Sequence, residues 1–185
     1  MSHFDELSQL YEVWHKKWFE DYMQHRRLSS RIAHKFGEFL GAPEAFNDAA
    51  GTDSAKKTRY VSAARATRQP DEKFTLSVDE PSEIDFEEDG SFYFGVRVMM
   101  ESAPNTFPKH PFWFLLFGKF KGGHFDVRVQ RTGEEFKLGS DDAVEMQRLC
   151  EHLLDQLKLE MTESPLARHS PEPMRIGFGP PPTIK

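Results

Sequence analysis

Between His3 and Leu40 the apolar residues fall at Phe4, Leu7, Tyr11, Trp14, Trp18, Tyr22, Leu28, Ile32, Phe36 and Leu40. Steps of three and four residues return to one side of an α-helix, so the pattern predicts a long amphipathic helix over residues 1–41. Ser2 with Asp5 resembles a capping box at its start. Gly41-Ala42-Pro43 is a stop signal, because the residue before a proline is pushed out of helical geometry. Unbroken, such a helix would extend about 57 Å at about 1.5 Å per residue. A compact domain of this chain length is only about 40 Å across. Either the helix breaks, near Ser29-Ser30 or Gly37, or it projects and pairs with another chain. Long helices without a sustained heptad are unusual, so a break is the expectation.

The periodicity then changes to two. Residues 44–58 are small and polar and read as a loop. Short strands follow at Tyr60–Ala64, at Phe74, Leu76 and Val78, and at Ile84 and Phe86. Asp89-Gly90 centres a hairpin turn, after which Phe92, Phe94, Val96, Val98 and Met100 alternate with polar or smaller residues. Residues 102–111 hold three prolines and form a longer connection. The run Phe112–Phe120 is apolar on both faces, so it belongs inside the sheet, covered on both sides for part of its length. Glycine turns at 122–123 and 133 separate it from Phe125, Val127 and Val129, and then from Phe136 and Leu138. A second helix is predicted over 141–161, capped by Asp142 with Glu145, with Ala143, Met146, Cys150, Leu153, Leu154 and Leu157 facing the core. Pro165 ends it, and 165–185 is a proline-rich tail expected to be flexible or extended. The fold class is α+β: one domain over 1–164, with a mainly antiparallel sheet of about five to seven strands within 59–139. The long N-terminal helix and a C-terminal helix flank that sheet.

Composition adds three constraints. Seventeen phenylalanines imply a core of large flat side chains. A single cysteine, Cys150, forbids an intrachain disulfide and a cysteine metal cluster, and on an apolar helix face it reads as a small buried hydrophobe. No apolar run approaches the roughly 20 residues that span a bilayer, and the N-terminus lacks a signal-peptide core. These features favour a cytoplasmic protein and give no reason to expect a membrane. The net charge of −6 argues against a dedicated nucleic-acid binder, whose affinity rests on neutralising phosphates. Basic residues gather between Lys56 and Lys73, and acids between Asp79 and Asp89, as expected of segments that neutralise each other across neighbouring strands.

Candidate chemistry is sparse. Asp126 in one strand and Glu135-Phe136-Lys137 in the next resemble the Asp…Glu-x-Lys motif of restriction-endonuclease-like nucleases. The resemblance implies a divalent cation held by Asp126 and Glu135, with Lys137 orienting the attacking water. The simpler reading of Asp126, Glu135 and Lys137 is the solvated face of a hairpin. His15, His25 and His34 lie too far apart on the first helix to form a helical metal pair. His110 and His124 flank one strand and can approach each other at one end of the sheet, and His124 and Asp126 can bind metal weakly or form an ion pair, the simpler reading being ordinary surface histidines. Phosphate-loop, dinucleotide and nucleophile-elbow motifs are missing. No cofactor is expected, a divalent metal entering only with the nuclease alternative.

Two segments read as contact surfaces. The aromatic stretch carrying Trp14, Trp18, Phe19 and Tyr22 is richer than one core stripe needs, although packing on the sheet would account for most of it. In the tail, Met174, Ile176 and Phe178 offer anchors on an extended backbone. The function expected is therefore non-enzymatic: a protein-binding, adaptor or accessory subunit of a cytoplasmic assembly. Its partner would be another protein, or a second copy met through the N-terminal helix. A small-ligand pocket beneath the helices is a further alternative.

Overall fold

The computed structural model describes residues 3–47, 57–78, 84–102, 106, 109–162 and 183–184. The first helix, α1, runs unbroken from His3 to Leu40. The expected break is absent at both sites. Ser29 Oγ turns back on the Arg26 carbonyl at 3.0 Å, so its hydroxyl is satisfied inside the helix. Gly37 lets the helix backbone lie close over β3 (Val61–Arg68): a Cβ there would sit 3.4 Å from that of Val61. The stop is the one the sequence signals. Gly41 adopts φ 63°, its N–H bonds to the Glu38 carbonyl, and the Ala42 N–H reaches the Gly37 carbonyl. That paired closure is a Schellman motif, which satisfies the last carbonyls of the helix. The Ser2 cap lies outside the described residues.

A small hairpin, β1 (Ala45–Asn47) with β2 (Lys57–Arg59), stands where a loop was expected. The main sheet comprises β3, β4 (Phe74–Ser77), β5 (Phe92–Met100), β6 (His110–Lys121), β7 (His124–Val129), β8 (Glu135–Leu138) and the two-residue β9 (Thr183–Ile184). Its order is β8-β7-β6-β5-β3-β4-β9, and every pairing is antiparallel. The second helix, α2 (Ala143–Thr162), follows β8. Asp142 caps it by accepting the Glu145 N–H at 3.0 Å, while the Glu145 carboxylate turns instead to Arg148 at 2.6 Å. No described helix is long and apolar enough to cross a membrane. Apart from Thr183 and Ile184, the tail with its anchors Met174, Ile176 and Phe178 lies outside the described residues.

Both helices lie on one face of the sheet, α1 over β3 and β5 and α2 over β8, and they touch each other. Ile32, Phe36, Leu149, Leu153, Phe92 and Val96 are completely buried between them. The opposite face carries a smaller cluster of Ala66, Phe74, Leu76 and Leu115, flanked by Tyr93 and Trp113. The central part of β6 is thus buried on both sides, through Phe114 and Leu116 on the helix face and Leu115 on the other. Cross-strand charge neutralisation is present as expected. Arg65 bonds Asp85 at 2.8 Å, and Arg68 lies 3.6 Å from Glu87.

Gly118 of β6 is directly paired with Phe92 of β5. A Cβ at Gly118 would stand 2.6 Å from the Phe92 ring, inside van der Waals contact. The glycine is there because a phenylalanine lies across it. Gly118→Ala is expected to cost about 1–3 kcal/mol by overpacking. Thermal melting of G118A alone and combined with Phe92→Leu checks this: the second change should recover part of the loss.

Candidate protein-interaction surface

From His3 to Asp21 every residue of α1 is exposed, and burial begins at His25. The exposed segment is about 28 Å long at about 1.5 Å per residue. It carries Phe4, Leu7, Leu10, Tyr11, Val13, Trp14, Trp18 and Phe19, each at least 44% exposed. Trp14 and Trp18, expected mainly as core, do not pack on the sheet: they are 58% and 44% exposed. Tyr22 is half-buried, its ring 6.2 Å from that of Phe86.

The reason lies in the helical repeat. Eighteen residues make about five full turns, so residues eighteen apart share one side of the helix. Leu10 thus aligns with Leu28, Trp14 with Ile32 and Trp18 with Phe36. Leu28, Ile32 and Phe36 are core residues at 2%, 0% and 0% exposure. One apolar seam therefore runs the whole helix; its C-terminal half is covered by the sheet and its N-terminal half is bare. Sequence reasoning selected the stretch Tyr11–Tyr22, with Trp14, Trp18, Phe19 and Tyr22 as its contacts, and missed Phe4, Leu7 and Leu10. The available signal was Val13 and Phe19, which widen the apolar arc beyond what one sheet face needs.

Stacked rings stiffen the arm at its root. Trp18 stacks on Tyr22 at 5.4 Å, and Tyr22 leads through Phe86 to the buried Phe92. His25 sits where arm meets sheet, its ring 4.9, 4.7 and 5.1 Å from those of Phe86, Phe92 and Phe125. Its Nδ1–H donates to the Asp21 carbonyl at 2.5 Å, and Nε2 is buried with no hydrogen-bond partner among the described residues. Burial holds the His25 pKa below its ordinary 6.5, the Asp21 carbonyl opposing only in part. As pH falls below about 6.5 the unfolded chain binds this proton and the folded one does not, so folding stability falls. Above that pH both states are neutral and the effect vanishes. Melting temperature measured from pH 8 to pH 5 is expected to decline below 6.5, less steeply in His25→Leu than in wild type.

The nuclease-like trio occupies the sheet face opposite the helices. Asp126 is paired with Lys137 across β7 and β8, whereas Glu135 is paired with Arg128. The Asp126 carboxylate lies 3.1 Å from His124 Nε2, a contact the shared strand face allows. Among the described residues no group of three histidine, cysteine or acidic side chains is placed to hold a metal. His110 and His124 do not approach each other. They lie at opposite ends of β6, His110 opposite Met100 and His124 opposite Lys121. Cys150 is 2% exposed, and burial with the neighbouring Glu151 raises its pKa to about 11. It is the inert hydrophobe that its helix position implies.

An open groove of about 350 Å³ lies between the C-terminal ends of both helices and β5, lined by Leu40, Tyr60, Met100, Glu101, Leu157 and Met161 among others. Two of its polar groups, Tyr60 and Glu101, are engaged with each other. Tyr60 donates to Glu101 at 2.7 Å, and the Lys109 ammonium bonds the same carboxylate. The Lys109 Nζ also lies over the rings of Phe46 and Tyr60, at 4.6 and 5.1 Å, and its desolvation lowers its pKa. In comparisons with protein-family models, curated proteins and solved structures, no match to this chain was found.

Proposed function

We propose that the chain is a non-enzymatic protein-binding module, an adaptor or accessory subunit that engages its partner through the bare half of α1. The observation carrying this reading is the exposed seam: six large apolar side chains, with Val13 and Phe19 on its flanks, on a helix whose other half uses the same side to build the core. Monomeric proteins seldom expose a contiguous apolar patch beyond about 300–600 Å². An amphipathic helix offering anchors every three or four residues is a recurrent recognition element. A cytoplasmic setting fits the single, buried cysteine. Within this reading, Met174, Ile176 and Phe178 form a second, subsidiary contact.

The test is quantitative affinity capture from native cells with the full-length protein and with Trp14→Ser/Trp18→Ser, a differently tagged second copy being among the proteins counted. A stoichiometric partner should fall at least tenfold with the double variant while the far-ultraviolet circular dichroism and melting temperature stay unchanged. Equal capture by both proteins would defeat the proposal.

A further inference from the structure

We propose that the arm's partner is a second copy of this chain, two α1 arms packing antiparallel about a two-fold axis near Tyr11. This rests on reading the arm as an interaction surface, and three features select the occupant.

The seam begins and ends on a large aromatic side chain. It runs from Phe4 to Trp18, and Tyr11 lies halfway. A two-fold axis there lays Phe4 of one copy over Trp18 of the other, so neither end of the seam is left uncovered. Such an interface is isologous, each contact occurring twice.

Charge selects the direction. Glu6 lies in the first turn of α1, and Lys17 lies about as far past Tyr11 as Glu6 lies before it. Eleven residues make about three turns, so the two stand on the same flank of the seam. An antiparallel pair sets each Glu6 beside the other copy's Lys17. A parallel pair leaves the two at different heights and offers no such pairing. The antiparallel pair also carries the two sheets to opposite ends of the paired arms, where they do not compete for space.

The area suffices for a small interface. Phe4, Tyr11, Trp14 and Trp18 are 44–77% exposed. At roughly 200 Å² for a whole aromatic side chain they offer on the order of 500 Å² per copy. Leu7 and Leu10, at 62–63% exposure, bring the seam to the roughly 600 Å² per partner at the lower end of stable interfaces.

Disulfide trapping in the full-length protein tests the geometry, because the native Cys150 is buried and does not compete. Under mild oxidation Y11C should cross-link to itself. F4C and W18C should each cross-link poorly alone, yet form a mixed dimer at least tenfold faster when combined. Static light scattering should give twice the chain mass for wild type and the single-chain mass for W14E. A wild-type monomer at tens of micromolar overturns the second-copy proposal, as does F4C or W18C linking to itself faster than the mixture. So does a dimer that survives W14E. A monomer that still loses a captured protein in Trp14→Ser/Trp18→Ser leaves the arm as a surface for a different partner. A monomer that loses nothing removes both readings.

Discussion

Phe92→Ala is expected to lower folding stability by about 4 kcal/mol, at the upper end of large-to-small core substitutions. The ring is completely buried. It meets His25 at 4.7 Å, Phe94 at 5.4 Å, Phe86 at 6.0 Å and Phe125 at 6.4 Å between ring centroids, and it lies across Gly118. These neighbours come from α1, from β5, β6 and β7, and from the segment before β5. A hole at Phe92 would therefore need several elements to move together before it closed, and a cavity that cannot close retains its full cost. Urea unfolding should show a lower midpoint with an unchanged slope. At roughly 2–4 °C per kcal/mol for a chain of this size, the melting temperature should drop on the order of 10 °C. A loss below about 1.5 kcal/mol would show that the aromatic cluster relaxes around the gap. Because Phe92 supports both His25 and Phe86, the same variant should loosen the root of the arm, raising hydrogen exchange around Tyr22 more than around Leu149.

The second large effect is expected at Lys109. Its side chain is 4% exposed and that of its partner Glu101 is 13% exposed. Removing one member of a buried pair costs about 3–5 kcal/mol, because the other charge keeps its desolvation penalty and loses its attraction. The groove beside Glu101 is open to solvent, so Lys109→Ala is placed at about 2–3 kcal/mol. Part of that loss also reflects packing, since the lysine lies over the Phe46 and Tyr60 rings. Glu101→Gln in the K109A background should recover stability, because a neutral amide replaces the stranded carboxylate. Lys109→Met with Glu101→Gln should lie closer to wild type than Lys109→Ala, because the amide oxygen still accepts from the Tyr60 hydroxyl. A double-mutant cycle on denaturant midpoints separates these terms, and a coupling near zero would show that Lys109 acts through its contacts with the rings alone.

Much of the fold was legible in the residues because its signals are local. The change of period from three-and-four to two marked where helix gives way to strand. Gly41 ended α1 and Asp142 began α2, since each acts on backbone groups within a few residues. The positive φ angles at Gly90, Gly122, Gly123 and Gly133 are those required by the tight turns the sequence signals. The β1–β2 hairpin was not legible, because each strand has only three residues and no alternation long enough to register. Nor was the position of β3 between β4 and β5. That order requires the chain to pass from β4 across β3 by way of Ile84–Phe86, a long-range pairing that periodicity does not encode.

The seam divides the two kinds of information most clearly. By itself the sequence determined that residues 3–40 are helical with a single apolar side, because hydrogen bonding and side-chain placement in a helix depend on neighbours three and four residues away; that α1 runs through without the expected break was decided by the tertiary structure. It could not determine which half of that side is covered, since Trp14 and Ile32 occupy equivalent positions five turns apart. Only the tertiary structure decided this. The sheet reaches along α1 as far as His25 and no farther, so residues of the same chemistry become core on one side of that point and surface on the other.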